Sequence, residues 1–196
     1  MSVPQMYPTG ARALQAEFDT TRLADRLVER TVSDALEDWQ VKVIRRSTFF
    51  FLATVDADGW PDVSYKGGAP GFVDVVDRST LAFPHYDGNG MYRSLGNISD
   101  TGKVSLLFVD FVNPKRVRIH GTASIHLDPE WLDRYEGAEA VVEVHVGRSF
   151  FNCPRYIHNL VSGELSTNAP RDGHVVEEPE WKSLPEWREV LPERHR

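Results

Sequence analysis

Cysteine is nearly absent from this chain: Cys153 is the only one. That excludes an intramolecular disulfide framework and a paired-cysteine metal site, and it suits a reducing cytoplasm. Long apolar runs are also missing. The longest are about strand length, well short of the roughly 20 residues that cross a bilayer. The opening "MSVPQMYPTG" has no basic stretch followed by an apolar run, so no secretory signal is expected there. Nor is there a run of Lys and Arg. With a formal net charge of −7 over 196 residues, neither a nucleic acid nor a membrane is an expected partner. The GxxxxGK phosphate loop, the GxGxxG fingerprint, the GxSxG elbow and HExxH are all lacking.

What is present is enough apolar material, 41% of the residues, to bury one real core. Residues 11–46 carry a helical repeat, in Leu23, Leu27 and Val28 and again in Leu36, Trp39, Val43 and Ile44. Thr31 with Asp34 resembles the start of a second helix. From Phe49 to about Phe151 the period changes to two. "FFFLATV" turns at "DADG" into "WPDVSYK"; "GFVDVV" turns at "DRS" into "TLAFP". "KVSLLFVDF" and "KRVRIHGTASIHL" make a further pair, and "EAVVEVHVGRSFF" is the last long strand. Two short helices interrupt the series, one over about Gly90 to Ile98, the other in "DPEWLDRYEG" with Asp128 as N-cap and Pro129 in the first turn. Six or seven antiparallel strands with helical inserts predict an α+β fold, mainly β, built on a closed or partly closed barrel. The expected divisions are an N-terminal helical extension (1–46), a barrel domain (47–160) and a C-terminal tail with one short helix (161–196).

Two polar, glycine-bearing breaks are candidate anion sites. In "SYKGG", Ser64 and Lys66 alternate on one strand face, Tyr65 stands between them, and Gly67 and Gly68 let a ligand approach the backbone. The bland alternative is an exposed lysine before a loose turn. In "FPHYDGNGMYRSLGN" a strand runs through Asp, Gly, Asn and Gly into a helix, whose first amides and positive dipole end favour an anion. Asn89 can donate there and Gly90 leaves the backbone open. Arg93 reaches the site only if it faces it, and Asn97 lies further along the same helix. The alternative is a strand-to-helix turn with Asn as cap. In "FNCPRYIHN", Arg155 and Tyr156 offer a guanidinium and a ring, whereas Cys153 lacks an orienting pair and reads as a packed residue. His120 and His126 share a strand face, a pattern open to a metal but more often packing, so no metal is expected. Asp56, Asp58 and Asp62 read as turn chemistry, and no residue stands out as catalytic.

Taken in order, "FFLATVDADGWPDVS", "TLAFPHYDGNGMYRSLGNI", "KVSLLFVDF" and "KRVRIHGTA" resemble the pyridoxamine 5′-phosphate oxidase-like flavoproteins, with a weaker extension to "NCPRYI". The resemblance implies a split antiparallel β-barrel and a homodimer binding FMN at the subunit interface. By position it puts Ser64, Tyr65, Lys66 and Gly67 on a strand lining the flavin. Asn89 and Gly90, with Arg93 and Asn97 on the helix that follows, fall on the phosphate side. Phe83 and Pro84 fall where the strand backbone borders the ring, and Arg155 near the partner's site. A Ser-Arg-Lys stretch of the vitamin-B6 oxidases is replaced here by "DGNG", and their late Trp and Arg pair is not recognisable. The resemblance therefore implies an FMN-dependent oxidoreductase of unassigned small organic substrate. The alternatives are a flavin-binding module (FMN or F420) for storage or sensing without turnover, or a haem-binding relative.

Overall fold

The computed structural model describes residues 6–169, 171–176 and 178–193. The chain forms two compact units, one over Ser33–Pro154 and a second from the described residues before Ser33 and after Pro154. The first five residues of the opening stretch, where no secretory signal is expected, and the end of the expected tail at 194–196 lie outside the described residues.

The larger unit is a split antiparallel β-barrel of the α+β class. Its strands are β2 (Phe49–Val55), β3 (Pro61–Gly67), β4 (Asp74–Asp77), β5 (Thr80–Tyr86), β6 (Lys103–Asp110), β7 (Lys115–His126) and β8 (Ala138–Phe151), hydrogen-bonded in the order β3-β2-β6-β7-β8-β5-β4. A two-residue strand, β1 (Val32–Ser33), pairs with β8 off that path. The β2 pattern shows why the sequence makes a barrel wall. Phe50, Leu52 and Thr54 are buried while Phe49, Phe51, Ala53 and Val55 alternate to the other face. Phe50 sits at the centre, its ring 4.9 Å from Phe83, 5.1 Å from Phe108 and 5.9 Å from Phe72. Leu81, Leu106, Val117, Ile119 and Val144 complete an interior that excludes water.

Two bulges shape β8. His120 pairs with Arg148 and Gly121 with Val146, so Gly147 is an extra residue; His85 pairs with Ala140 and Tyr86 with Ala138, so Glu139 is another. Such insertions bend a strand and re-aim a side chain. At the first bulge the chains come so close that a Cβ on Gly121 would stand 2.3 Å from the His145 carbonyl oxygen.

Helix α3 (Asp38–Arg46) packs on the barrel through Ile44 and the buried Gln40. Its N-terminus is a capping box: Gln40 Oε1 accepts from the Glu37 amide at 2.9 Å while the Glu37 side chain accepts from the Gln40 amide. The Arg78 carbonyl accepts from the Leu36 amide, and its guanidinium donates back to the Leu36 carbonyl and pairs with Asp38. Thr31 does not start a helix. It is the last residue of α2 (Thr21–Thr31), its hydroxyl donating to the Leu27 carbonyl. Helix α4 (Arg93–Thr101) begins three residues later than the sequence pattern indicates, and α5 (Pro129–Leu132) is short, capped by Asp128 as expected.

In the smaller unit α1 (Thr9–Glu17) and α2 are joined by the returning tail. Arg26 donates to the Glu186 carbonyl at 2.6 Å and to Glu189 at 2.8 Å. The tail carries a 3-10 turn (Glu180–Ser183) and α6 (Pro185–Arg188), held together by an edge-on contact of Trp181 with Trp187.

Gly121→Ala should destabilise the protein by about 1–3 kcal/mol, because its methyl meets backbone that cannot move aside. Gly147→Ala, whose Cβ would clear the nearest atom by 3.4 Å, should cost clearly less. Urea unfolding of both variants measures the difference; equal losses would contradict the close approach at Gly121.

Candidate functional site

Edge strand β3 and the end of β5 flank the split in the barrel, and the loop from Asp87 to Tyr92 closes it into a cleft of about 570 Å³. That size suits a cofactor or small ligand. In the β2–β3 register Ser64 pairs with Leu52 and Lys66 with Phe50, so both share a face with core residues and point into the split. Tyr65 alternates outward and stacks on Phe49 at 5.4 Å. Ser64 Oγ lies 2.9 Å from Ser94 Oγ, a bond joining β3 to the first turn of α4.

Burial lowers the pKa of the Lys66 ammonium, and Asp62 partly opposes that. Among the described residues neither Lys66 nor Arg93 has a carboxylate within ion-pair distance. The cleft lining thus holds two cations, Lys66 and Arg93, neither of them in an ion pair, together with Asp62, Asp87, His85 and the tyrosines Tyr65, Tyr86 and Tyr92. Burial, and then Lys66, hold the His85 imidazole below its ordinary value against the pull of Glu139.

The start of α4 adds backbone donors. Tyr92, its N-cap, lies in the left-handed region (φ 49°) and makes no side-chain cap bond. The amides of the first turn, beside Arg93 and Ser94, therefore open on the cleft. Asn89 does not cap this helix. Its Oδ1 accepts from the Met91 amide at 3.0 Å, closing the loop on itself. The Tyr92 hydroxyl donates to Glu139 at 3.2 Å, a bond that raises the tyrosine's pKa.

Of the residues singled out from the sequence, Ser64, Tyr65, Lys66, Gly67, Pro84, Asn89, Gly90 and Arg93 come together around the cleft. Phe83 turns its side chain into the core, leaving only Pro84 of that pair at the wall. Asn97 is buried behind the site, its Nδ2 donating to Thr54 Oγ1 at 2.9 Å. Arg155 does not line the cleft; it belongs to the other unit, with its guanidinium 5.9 Å from the Tyr156 ring. Sequence reasoning did not single out His85, Tyr92 and Ser94. Ser94 was within reach, as a hydroxyl in the first turn of a helix already suspected of facing an anion.

His126 and His120 are engaged in packing: His126 bonds to Glu143 at 2.9 Å and stacks on Trp131, and His120 meets Phe150 edge-on. Among the described residues no group of three or more His, Cys, Asp or Glu is placed to hold a metal, and no helix is long and apolar enough to cross a membrane.

This architecture has relatives. A candidate pyridoxamine 5′-phosphate oxidase of Lactobacillus delbrueckii is 31% identical, with 60% of this chain and 95% of that one aligned at a TM-score of 0.50. HupZ of Group A Streptococcus is 25% identical over 67% of this chain and 98% of its own, at 0.49. An FMN-binding protein of Syntrophomonas wolfei is 13% identical over 72% and 96%, at 0.46. No curated protein matches the chain in sequence. The family model for pyridoxamine 5′-phosphate oxidase matches residues 36–153, which takes in α3, the seven long strands up to Phe151 and the whole cleft. The chain belongs to the pyridoxamine 5′-phosphate oxidase family.

Proposed function

We propose that the chain binds FMN in the β3–α4 cleft, as a homodimer in the cytoplasm, and serves as an oxidoreductase for a small organic substrate. Lys66 carries this reading: a half-buried ammonium with no ion-pair partner, placed beside a hydroxyl pair and the open end of a helix. Desolvating a cation without compensation is costly. A phosphate at this position would supply the missing charge and accept from Ser64, Ser94 and the first amides of α4. Arg93 and Asn89, which line the cleft, would add donors, and Pro84 would border the ring. FMN, when bound, supplies the electron chemistry, and the chain's task is to hold and orient it. The Ser-Arg-Lys element of the vitamin-B6 oxidases is absent from the loop, which favours another substrate over the B6 phosphates.

The outer face of the β3–β2 hairpin supports the dimer. Trp60, Val63 and Tyr65 are 71, 65 and 63% exposed, beside Phe49, which stacks on Tyr65, and Phe51, which meets both of those rings edge-on. An apolar surface on an edge strand invites a two-fold partner. In that dimer Arg155 is proposed to act on the site of the other subunit.

Lys66→Ala should weaken FMN binding about ten- to hundredfold, the loss of one charge-assisted bond of roughly 1.5–3 kcal/mol. Riboflavin has no phosphate, and its affinity should barely change. Fluorescence titration with both ligands decides: equal loss moves Lys66 to the ring, and no loss returns it to solvent.

Light scattering at micromolar concentration should give twice the chain mass, and Val63→Glu with Tyr65→Glu should shift it to the monomer. Arg155→Ala should then make FMN binding depend more steeply on protein concentration. A parent protein that stays monomeric would contradict the interface, and an Arg155→Ala protein that binds FMN like the parent at concentrations about a hundredfold apart would make the C-terminal motif structural.

A further inference from the structure

Adjoining the cleft is a second, open pocket of about 510 Å³. Leu95 on α4, Ile125 and Leu127 at the end of β7, and Ala140 on β8 give it apolar walls. His85 and Tyr92 line both pockets. Among the described residues Glu139 is the only formally charged residue of its lining, and no Lys or Arg faces it.

Glu139 does not fall there by ordinary strand alternation. It is the extra residue of the bulge opposite His85 and Tyr86, and it accepts a hydrogen bond from Tyr92. Tyr92 in turn holds a left-handed backbone that a bulky residue rarely adopts (φ 49°). A bulge that re-aims a carboxylate and a strained tyrosine that meets it are both features that concentrate at ligand sites.

We propose that this second cavity is a substrate pocket for a small, largely apolar organic molecule that is uncharged or carries a cationic amine, and that it rejects phosphorylated ones. The occupant follows from charge complementarity. An ammonium or hydroxyl group pairs with the Glu139 carboxylate, whereas a phosphate would meet that carboxylate with no compensating cation. That the pocket serves a substrate beside a cofactor rests on the flavin reading above; its choice of ligand does not.

Benzylamine, benzyl alcohol and benzyl phosphate, three probes sharing one ring, test the selection by calorimetric titration of the full chain with and without saturating FMN. With FMN saturating, so that the Lys66 site is filled, benzylamine should bind about three- to tenfold tighter than benzyl phosphate, the scale of charge pairing at an exposed carboxylate. In Glu139→Gln, where the amide can still accept from Tyr92, benzylamine should fall to the level of benzyl alcohol. A second variant blocks the cavity without touching its charge. Gly96 lines it on α4, and an added Cβ there meets nothing within 4 Å. Gly96→Phe should abolish probe binding while FMN affinity stays within about twofold of the parent, since Gly96 does not line the first cleft. With FMN saturating, benzyl phosphate binding as well as benzylamine, or a preference that survives Glu139→Gln or Gly96→Phe, would overturn the proposal. Amine selection in a protein that does not bind FMN would uphold the pocket and sink the cofactor reading, and FMN binding without amine selection would do the reverse.

Discussion

One buried hydrogen bond, from Asn97 Nδ2 to Thr54 Oγ1, decides where the site is. Both groups are shut away from water, and breaking the pair would strand a polar atom at a cost of about 1–3 kcal/mol. The bond ties α4 to the inner face of β2. Two further contacts keep the helix from sliding: Thr101 donates to the Val55 carbonyl at 2.9 Å, and Ile98 is buried in the core. Gly102, in the left-handed conformation that ends the helix, passes its carbonyl to the Ala123 amide of β7. With its C-terminal half strapped to two strands, α4 has only one end free, and that end faces Ser64 and Lys66.

The electrostatics of the cleft follow from that placement. Ser94 reaches Ser64 because the helix is fixed, and the same register brings Lys66 inward opposite Phe50. A lysine there has lost water on the side of the aromatic core and forms no ion pair in return, Asp62 acting on it only from beyond ion-pair distance. The acidic surface of the protein, at a net charge of −7, does not neutralise it, because screening at physiological salt confines such influence to about 8 Å. A local anion site on an acidic protein is therefore consistent, and needs only a handful of donors. The two β8 bulges extend the logic, one admitting the close approach at Gly121 and the other turning Glu139 toward Tyr92.

Much of the barrel was legible in the sequence because each wall has one wet face and one dry one. "FFFLATV" alternates for that reason, and the Asp56 carboxylate that accepts from the Asp58 and Trp60 amides is the turn chemistry its sequence advertises. Helix starts were read less well. Asn89 spends its oxygen on Met91, and Tyr92 takes the cap position in a conformation no propensity favours, so α4 begins late. Thr31 and Asp34 looked like a helix start, but Glu37 and Gln40 provide the reciprocal pair two turns of chain further on. In the site, "SYKGG" and "DGNG" could be suspected separately, and only the fold brings them to one cleft. Glu139 was invisible for a related reason. It lies 47 residues from Tyr92, and its direction depends on a bulge that hydrophobic periodicity does not encode.

The absorption spectrum of the purified full chain, before and after anaerobic reduction by dithionite, tests the central claim most directly. The account predicts the paired visible bands of an oxidised flavin, bleached on reduction and released as FMN when the protein is denatured. A single deazaflavin band, a haem Soret band, or a colourless protein that takes up no added FMN would contradict it.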